Sequence, residues 1–165
     1  MRLLVMRHAK SDRSAVPGGD HERPLNARGR RAADAMGAWL TAAGEAPGLV
    51  ITSSAVRARQ TAERAAAAGA WDAPVVVEAS FYGTTPDAVV ARVAEEDDAL
   101  DAVLVVGHEP VWSLLVGALC GGGRVRLPTA AVAITEPLVS RWRDVVPGCA
   151  ELRALVPVKL VAPEG

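Results

Sequence analysis

The sequence predicts an α/β protein: a three-layer α/β/α sandwich around a mostly parallel central sheet. Three observations carry that expectation. Short apolar runs alternate with longer segments that carry helix start and stop signals. Several runs are hydrophobic without alternation, the pattern of strands buried on both faces. Three of the runs end abruptly in polar clusters, as strands do where an open parallel sheet meets its ligand. The 165 residues suit one domain spanning 1–165.

Each element has a local reason. Arg2 to Met6 is the first strand, stopped by Arg7-His8. Ser11 to Pro24 is polar, contains Pro-Gly-Gly and reads as a loop. Asn26 can cap a helix that runs to about Ala43, with Gly44 as its stop. Leu49 to Ile51 forms a second strand. Ser53 or Ser54 then caps a second helix that ends at Gly69. Val75 to Val77 follows Pro74 as a third strand. Pro86 suits the first turn of a helix from Thr85 to about Glu96. Val103 to Val106 is the most hydrophobic run and is expected at the centre of the sheet. Pro110 opens an apolar helix that stops at the glycines 121 to 123. Ala130 to Ile134 and Leu152 to Val156 are late strands, and the tail from Pro157 is expected to be loosely ordered.

Composition excludes several function classes. Half the residues are hydrophobic and 22% are charged, enough apolar surface to offset chain entropy. Formal net charge is −1 and the chain holds one Tyr and one Phe, which argues against a nucleic-acid partner. Cys120 and Cys149 make neither a disulfide framework nor a zinc motif. The first apolar run is too short for a signal peptide, and no run reaches the ~18 residues of a membrane helix. The expectation is a cytoplasmic protein without a membrane partner. Only Lys10 and Lys159 are lysines, so the basic residues are almost all arginine. An arginine therefore counts as functional only in a meaningful local setting.

The strand ends supply that setting. The first strand delivers Arg7 and His8. The second delivers Ser53 and Ser54, with Arg57 in the first turn of the next helix. The fourth delivers Gly107, His108 and Glu109. A shared sheet brings these distant segments to one edge. Arg7 and Arg57 offer forked, permanently charged donors that fit a tetrahedral oxyanion. A neutral imidazole can attack phosphorus, and a protonated one can stabilise the transferring group. Together they point to phosphoryl transfer through a phosphohistidine, with the countercharge supplied by side chains. Each residue also has a plainer reading. A lone histidine at a strand end is usually structural. Arg59, two positions from Arg57, faces elsewhere and reads as a surface charge. Trp39, Trp112 and Trp142 read as packing residues. Cys120 reads as a small core residue, and Cys149 lacks the basic neighbours of a reactive thiol.

The same residues carry a resemblance. Val5-Met6-Arg7-His8-Ala9 resembles the Arg-His-Gly motif of the histidine phosphatase superfamily, the phosphoglycerate-mutase-like group. The segments Ser53 to Thr61 and Val106 to Pro110 are similar to its second and third motifs. Glu22 to Gly29 is similar to its Arg-Pro-Leu…Gly segment. Four motifs in the family order cover most of the chain to about residue 120. The compact stretch from Glu78 to Pro86, and Thr129-Ala130-Ala131, are most like the short SixA-like phosphohistidine phosphatase branch.

The resemblance implies that His8 is the phosphorylated nucleophile. It implies that Arg7, Arg57 and His108 surround the phosphoryl oxygens and that Arg23 reaches the same pocket. It also implies no metal, no organic cofactor and a monomer. Alanine replaces the usual glycine at position 9, which is compatible unless the backbone there needs positive φ. Larger relatives carry an acidic proton donor near the third strand. Glu78 is the nearest candidate here, with Glu22 and His21 as others. A weak donor favours P–N over P–O substrates, because departing imidazole is itself basic, with a pKa of ~6.5. The expected substrate is phosphohistidine on a protein partner. Small phosphoesters, a phosphoryl transferase or mutase, and a non-catalytic phosphate-binding module are the alternatives.

Overall fold

The computed structural model describes residues 1–12 and 17–162. The strands are β1 (Arg2–Arg7), β2 (Leu49–Ser53), β3 (Val75–Glu78), β4 (Ala102–Gly107), β5 (Val132–Pro137) and β6 (Ala150–Val156). The helices are α1 (Ala27–Ala42), α2 (Val56–Gly69), α3 (Pro86–Val93) and α4 (Val111–Leu119). All six strands share one sheet in the order β3-β2-β4-β1-β5-β6. β1, β2, β3 and β4 run parallel; β5 pairs antiparallel with β1, and β6 pairs antiparallel with β5. β4 lies between β2 and β1, which is the central place its hydrophobicity predicts.

Side-chain alternation builds the three layers. Leu3 and Val5 of β1 enter one core with Val89 and Val93 of α3 and Trp112 and Leu115 of α4. Leu4 and Met6, pointing the other way, enter a second core with Met36 and Leu40 of α1 and Ala58 and Ala62 of α2. These β1 side chains are fully buried on both faces, which explains the unbroken apolar run.

Local chemistry sets the helix ends. Asn26 Oδ1 accepts from Gly29 N at 2.8 Å, as a cap of α1 should. Thr85 Oγ1 accepts from Ala88 N at the start of α3, with Pro86 in the first turn. Three expectations change. α2 has Ala55 at its cap position and no side-chain cap, because Ser53 is engaged elsewhere. α3 ends at Val93, short of Glu96. The segment after Pro157 forms a turn at Val158–Leu160 and packs Val158 and Val161 onto the α1 side, while residues 163–165 lie outside the described residues. Of the predicted loop, residues 13–16 also lie outside them. Among the described residues, no helix is long and apolar enough to cross a membrane.

Strand register aligns the site. Arg7 lies opposite Gly107 and Ser53 opposite Glu78, while Thr52 pairs with Val106. Arg7, Gly107, Ser53 and Glu78 therefore form one row at the carboxyl edge of the sheet. The residues after that row rise above the edge together.

Candidate active site

His8 and His108 emerge from neighbouring strands. His8 N donates to Gly107 O at 2.9 Å, and the two imidazole centroids are 5.1 Å apart. His8 Nδ1 lies 2.7 Å from Ala9 O. A carbonyl only accepts, so Nδ1 carries the proton and Nε2 keeps its lone pair. That lone pair accepts from Arg57 Nε at 3.3 Å. Burial, with further lowering by His108, Arg57 and Arg7, pushes His8 down to about 3. His8 is thus a neutral imidazole with its unprotonated nitrogen beside a guanidinium.

His108 is also neutral at rest. Burial and then Arg57 push it down to about 4. Its Nε2 shares a 2.8 Å hydrogen bond with Ser53 Oγ, which fixes the ring. Arg7 Nη1 donates to Leu127 O at 3.0 Å, tying the β1 end to the segment after α4. Arg7 Nε and His108 Nδ1 are buried and make no hydrogen bond among the described residues.

Ala9 is accommodated. It is not among the described residues with positive φ, its side chain is fully buried, and its N–H donates to Thr61 Oγ1 at 2.9 Å. Thr61 follows Arg57 by four positions in α2 and so shares its helix face. The Arg-Pro-Leu…Gly segment has an equally local reason. Lys10 O accepts from Asn26 N at 3.0 Å, and a Cβ on Gly29 would stand 2.0 Å from that oxygen. Only glycine lets the chain after His8 pass this close to α1.

A cavity of about 380 Å³, open to solvent, is lined by Arg7, His8, Lys10, Ser11, Arg23, Arg28, Arg57 and Thr129. Its walls are strongly cationic, which suits a phosphoryl group. Arg23 is among the lining residues, with Nη2 donating to Ser11 Oγ at 2.7 Å and Nη1 to Asp20 Oδ1 at 2.6 Å. A second cavity of similar size lies between Arg2, Glu45, Asp101 and Arg153, at the opposite end of the strands. It contains the Arg2–Glu45 pair and no histidine. Among the described residues, no three His, Cys, Asp or Glu side chains gather as a metal site requires.

The proton-donor candidates are placed elsewhere. Glu78 is separated from β1 by β2 and β4, three strand spacings or roughly 14 Å. Its carboxylate accepts from Ser80 N and Oγ and pairs with Arg92. The Ser80 bonds, then Arg92, hold it below the usual carboxylate range, the opposite of what an acid needs. His21 and Glu22 bond to each other at the rim at 2.7 Å, and His21 Nε2 meets Ser54 Oγ.

Sequence reasoning missed Asp20 and Tyr82. Asp20 accepts from Arg57 and Arg23 together, and Tyr82 OH donates to Asp20 Oδ2 at 3.1 Å. The Tyr82 ring stands edge-on to both His21 and His108. Neither residue carries a local motif. The arrangement can bind a tetrahedral oxyanion against a neutral imidazole nucleophile.

Known proteins match this picture. Residues 3–82 match the model of the histidine phosphatase superfamily, branch 1. An uncharacterized protein of Mycobacterium tuberculosis is 38% identical over 159 residues, covering 89% of this chain and 96% of its own. A structure assigned as a phosphohistidine phosphatase SixA from Nakamurella multipartitia is 32% identical, covers 94% of each chain and superposes with a TM-score of 0.81. A protein histidine phosphatase SixA complexed with tungstate shares the fold at a TM-score of 0.84 and 22% identity, covering 98% of this chain and all of the other. The cationic pocket at the strand ends thus lies in a chain that belongs to the histidine phosphatase superfamily, a SixA-like enzyme of the phosphatase class.

Proposed function

We propose that this enzyme removes phosphoryl groups from phosphohistidine on a protein partner, through a covalent intermediate on His8. The observation that carries this reading is the His8 tautomer. Nδ1–H is held by Ala9 O, so the Nε2 lone pair faces the arginine-lined pocket. In the first step that lone pair forms a P–N bond as the substrate's P–N bond breaks. The leaving imidazole takes up a proton from solvent, which the open pocket admits. Water then attacks the phosphorus of phospho-His8, releasing inorganic phosphate and restoring neutral His8. Arg7, Arg57 and Arg23 supply countercharge in both steps, and His108 becomes a donor when the phosphoryl dianion raises its basicity.

Two features favour a P–N bond. Glu78, His21 and Glu22 are each tied to other partners, and an imidazole leaving group needs no strong acid. The pocket is also open, which suits a side chain presented by a protein. The SixA likeness points the same way. The second reading is a small phosphoester, since the cavity volume falls in the usual small-ligand range of ~300–1,000 Å³.

The test compares phosphate release from a phosphohistidine-bearing protein and from an aryl phosphate, with His8→Ala in parallel. His8-dependent release, faster from phosphohistidine, is expected. Release from the aryl ester alone would assign small phosphoesters instead. Release that survives His8→Ala would overturn the covalent mechanism.

A further inference from the structure

Asp12 N donates to Pro24 O at 2.9 Å, which brings together the two residues that flank the polar segment between them. Its described portion carries Asp20 over the pocket. Asp20 Oδ2 accepts from Arg57 Nη2 at 2.9 Å and from Tyr82 OH at 3.1 Å. Its Oδ1 accepts from Arg23 Nη1 at 2.6 Å, and its backbone carbonyl accepts from Arg57 Nη1 at 2.6 Å. The third Arg57 nitrogen, Nε, lies on His8 Nε2. Every nitrogen of the guanidinium nearest the nucleophile is therefore engaged, two of them by Asp20.

A phosphoryl group attacked by His8 must lie against that same guanidinium. Its oxygens would need the Arg57 Nη2 and Arg23 Nη1 donors that the Asp20 carboxylate now holds. A carboxylate beside a phosphoryl dianion is also repelled by it. One of the two anions must leave. We propose that Asp20 is the affinity-setting residue of this site: its carboxylate bridges Arg57 and Arg23 where phosphoryl oxygens bind, and substrate exchanges with it. This rests on the phosphatase reading above and adds a residue to it.

Exposure shows which group moves. The Arg57 side chain is 8% exposed, whereas Asp20 is 51% exposed. Rotation of the Asp20 side chain frees Nη2 and Arg23, while its backbone carbonyl keeps holding Nη1. Gly18 and Gly19 precede it with φ of 79° to 93°, a left-handed backbone that keeps the turn short. The exchange has a consequence. A resident carboxylate keeps the arginines paired between turnovers and weakens the hold on inorganic phosphate, the product. Three oxygens of a phosphoryl group, reaching Arg7 and His108 as well, can displace it.

The experiment measures binding of inorganic phosphate and orthovanadate to wild type, Asp20→Asn and Asp20→Ala by calorimetry, with aryl phosphate turnover on the same samples. Circular dichroism checks folding, which a half-exposed side chain is not expected to disturb. Both variants should bind both anions about three- to tenfold more tightly, with a matching fall in the inhibition constant of phosphate. Equal or weaker binding would overturn the exchange and make Asp20 a support for the arginines. Wild-type turnover with no gain in variant affinity would sink only the Asp20 inference. Tighter variant binding without His8-dependent turnover would sink only the phosphatase reading. No anion bound by any form would sink both.

Discussion

Arg57 Nε donates to His8 Nε2 at 3.3 Å, across 49 residues of sequence. The contact joins a helix start to a strand end. It places a permanent cation on the one atom of His8 that can act as a nucleophile. It also explains, with burial, why His8 stays neutral.

Arg57 should therefore be the most sensitive position after His8. Arg57→Ala removes a preorganised fork aimed at developing charge, and kcat/KM is expected to fall by roughly 10²-fold or more. Arg57→Lys should recover little, because a point charge cannot engage His8, the Asp20 carbonyl and a phosphoryl oxygen together. Steady-state kinetics on an aryl phosphate decides this. Full activity in either variant would remove Arg57 from the reaction.

Acid should destabilise the fold in a defined window. An unfolded histidine titrates near ~6.5, whereas folded His8 and His108 titrate at about 3 and about 4. Above the unfolded value both states are neutral and stability is unaffected. As pH falls below it, the unfolded chain takes up protons that the folded chain refuses, so stability drops. His8 can contribute up to about 1.4 kcal/mol per pH unit, and the more exposed His108 less. The decline continues until His108, and then His8, protonates in the folded state. Urea midpoints at pH 7.5, 6.5, 5.5 and 4.5 should fall progressively. His8→Asn should show a shallower fall, and identical slopes would contradict this assignment.

Gly29 should tolerate no side chain. A Cβ there meets the Lys10 carbonyl carbon at 2.9 Å as well as its oxygen, and this is backbone that cannot rotate away. Gly29→Ala is expected to cost about 2 kcal/mol or more, lowering Tm by roughly 4–8 °C. Thermal unfolding followed by circular dichroism would register it. A Tm equal to wild type would mean that the segment after the nucleophile shifts freely.

Glu78→Gln should leave kcat within about twofold of wild type. Its carboxylate serves Ser80 and Arg92, and the half-buried, solvent-screened pairing contributes about 1 kcal/mol or less. A kcat loss with an altered acid limb of the pH profile would restore Glu78 as a proton donor.

Much of this site was written locally. Arg7-His8, Arg57 and His108 stand at strand ends and a helix start, positions that apolar runs and helix signals mark directly. Arg23 came with the Arg-Pro-Leu motif and does line the pocket. Glu78 was misplaced because strand order decides its distance, and order is not a local property. β2 lies beside β4 rather than β1, so the end of β3 falls at the sheet's edge. Ser53 looked like a helix cap because its residue type fits one, yet its hydroxyl bonds His108 across 55 residues.

The sequence by itself determined most of the strands and helices, the three-layer arrangement and which strand ends bear the histidines and arginines. Periodicity, caps and motif spacing act over a few residues, so they can be read without coordinates. Tertiary structure alone decided the tautomer of His8, the distance of Glu78 from β1 and the bonding of Asp20 to Arg57 and Tyr82. Those depend on how a polar loop crosses the sheet edge. An aspartate in such a loop looks like any solvated residue until the fold sets it 2.9 Å from Arg57.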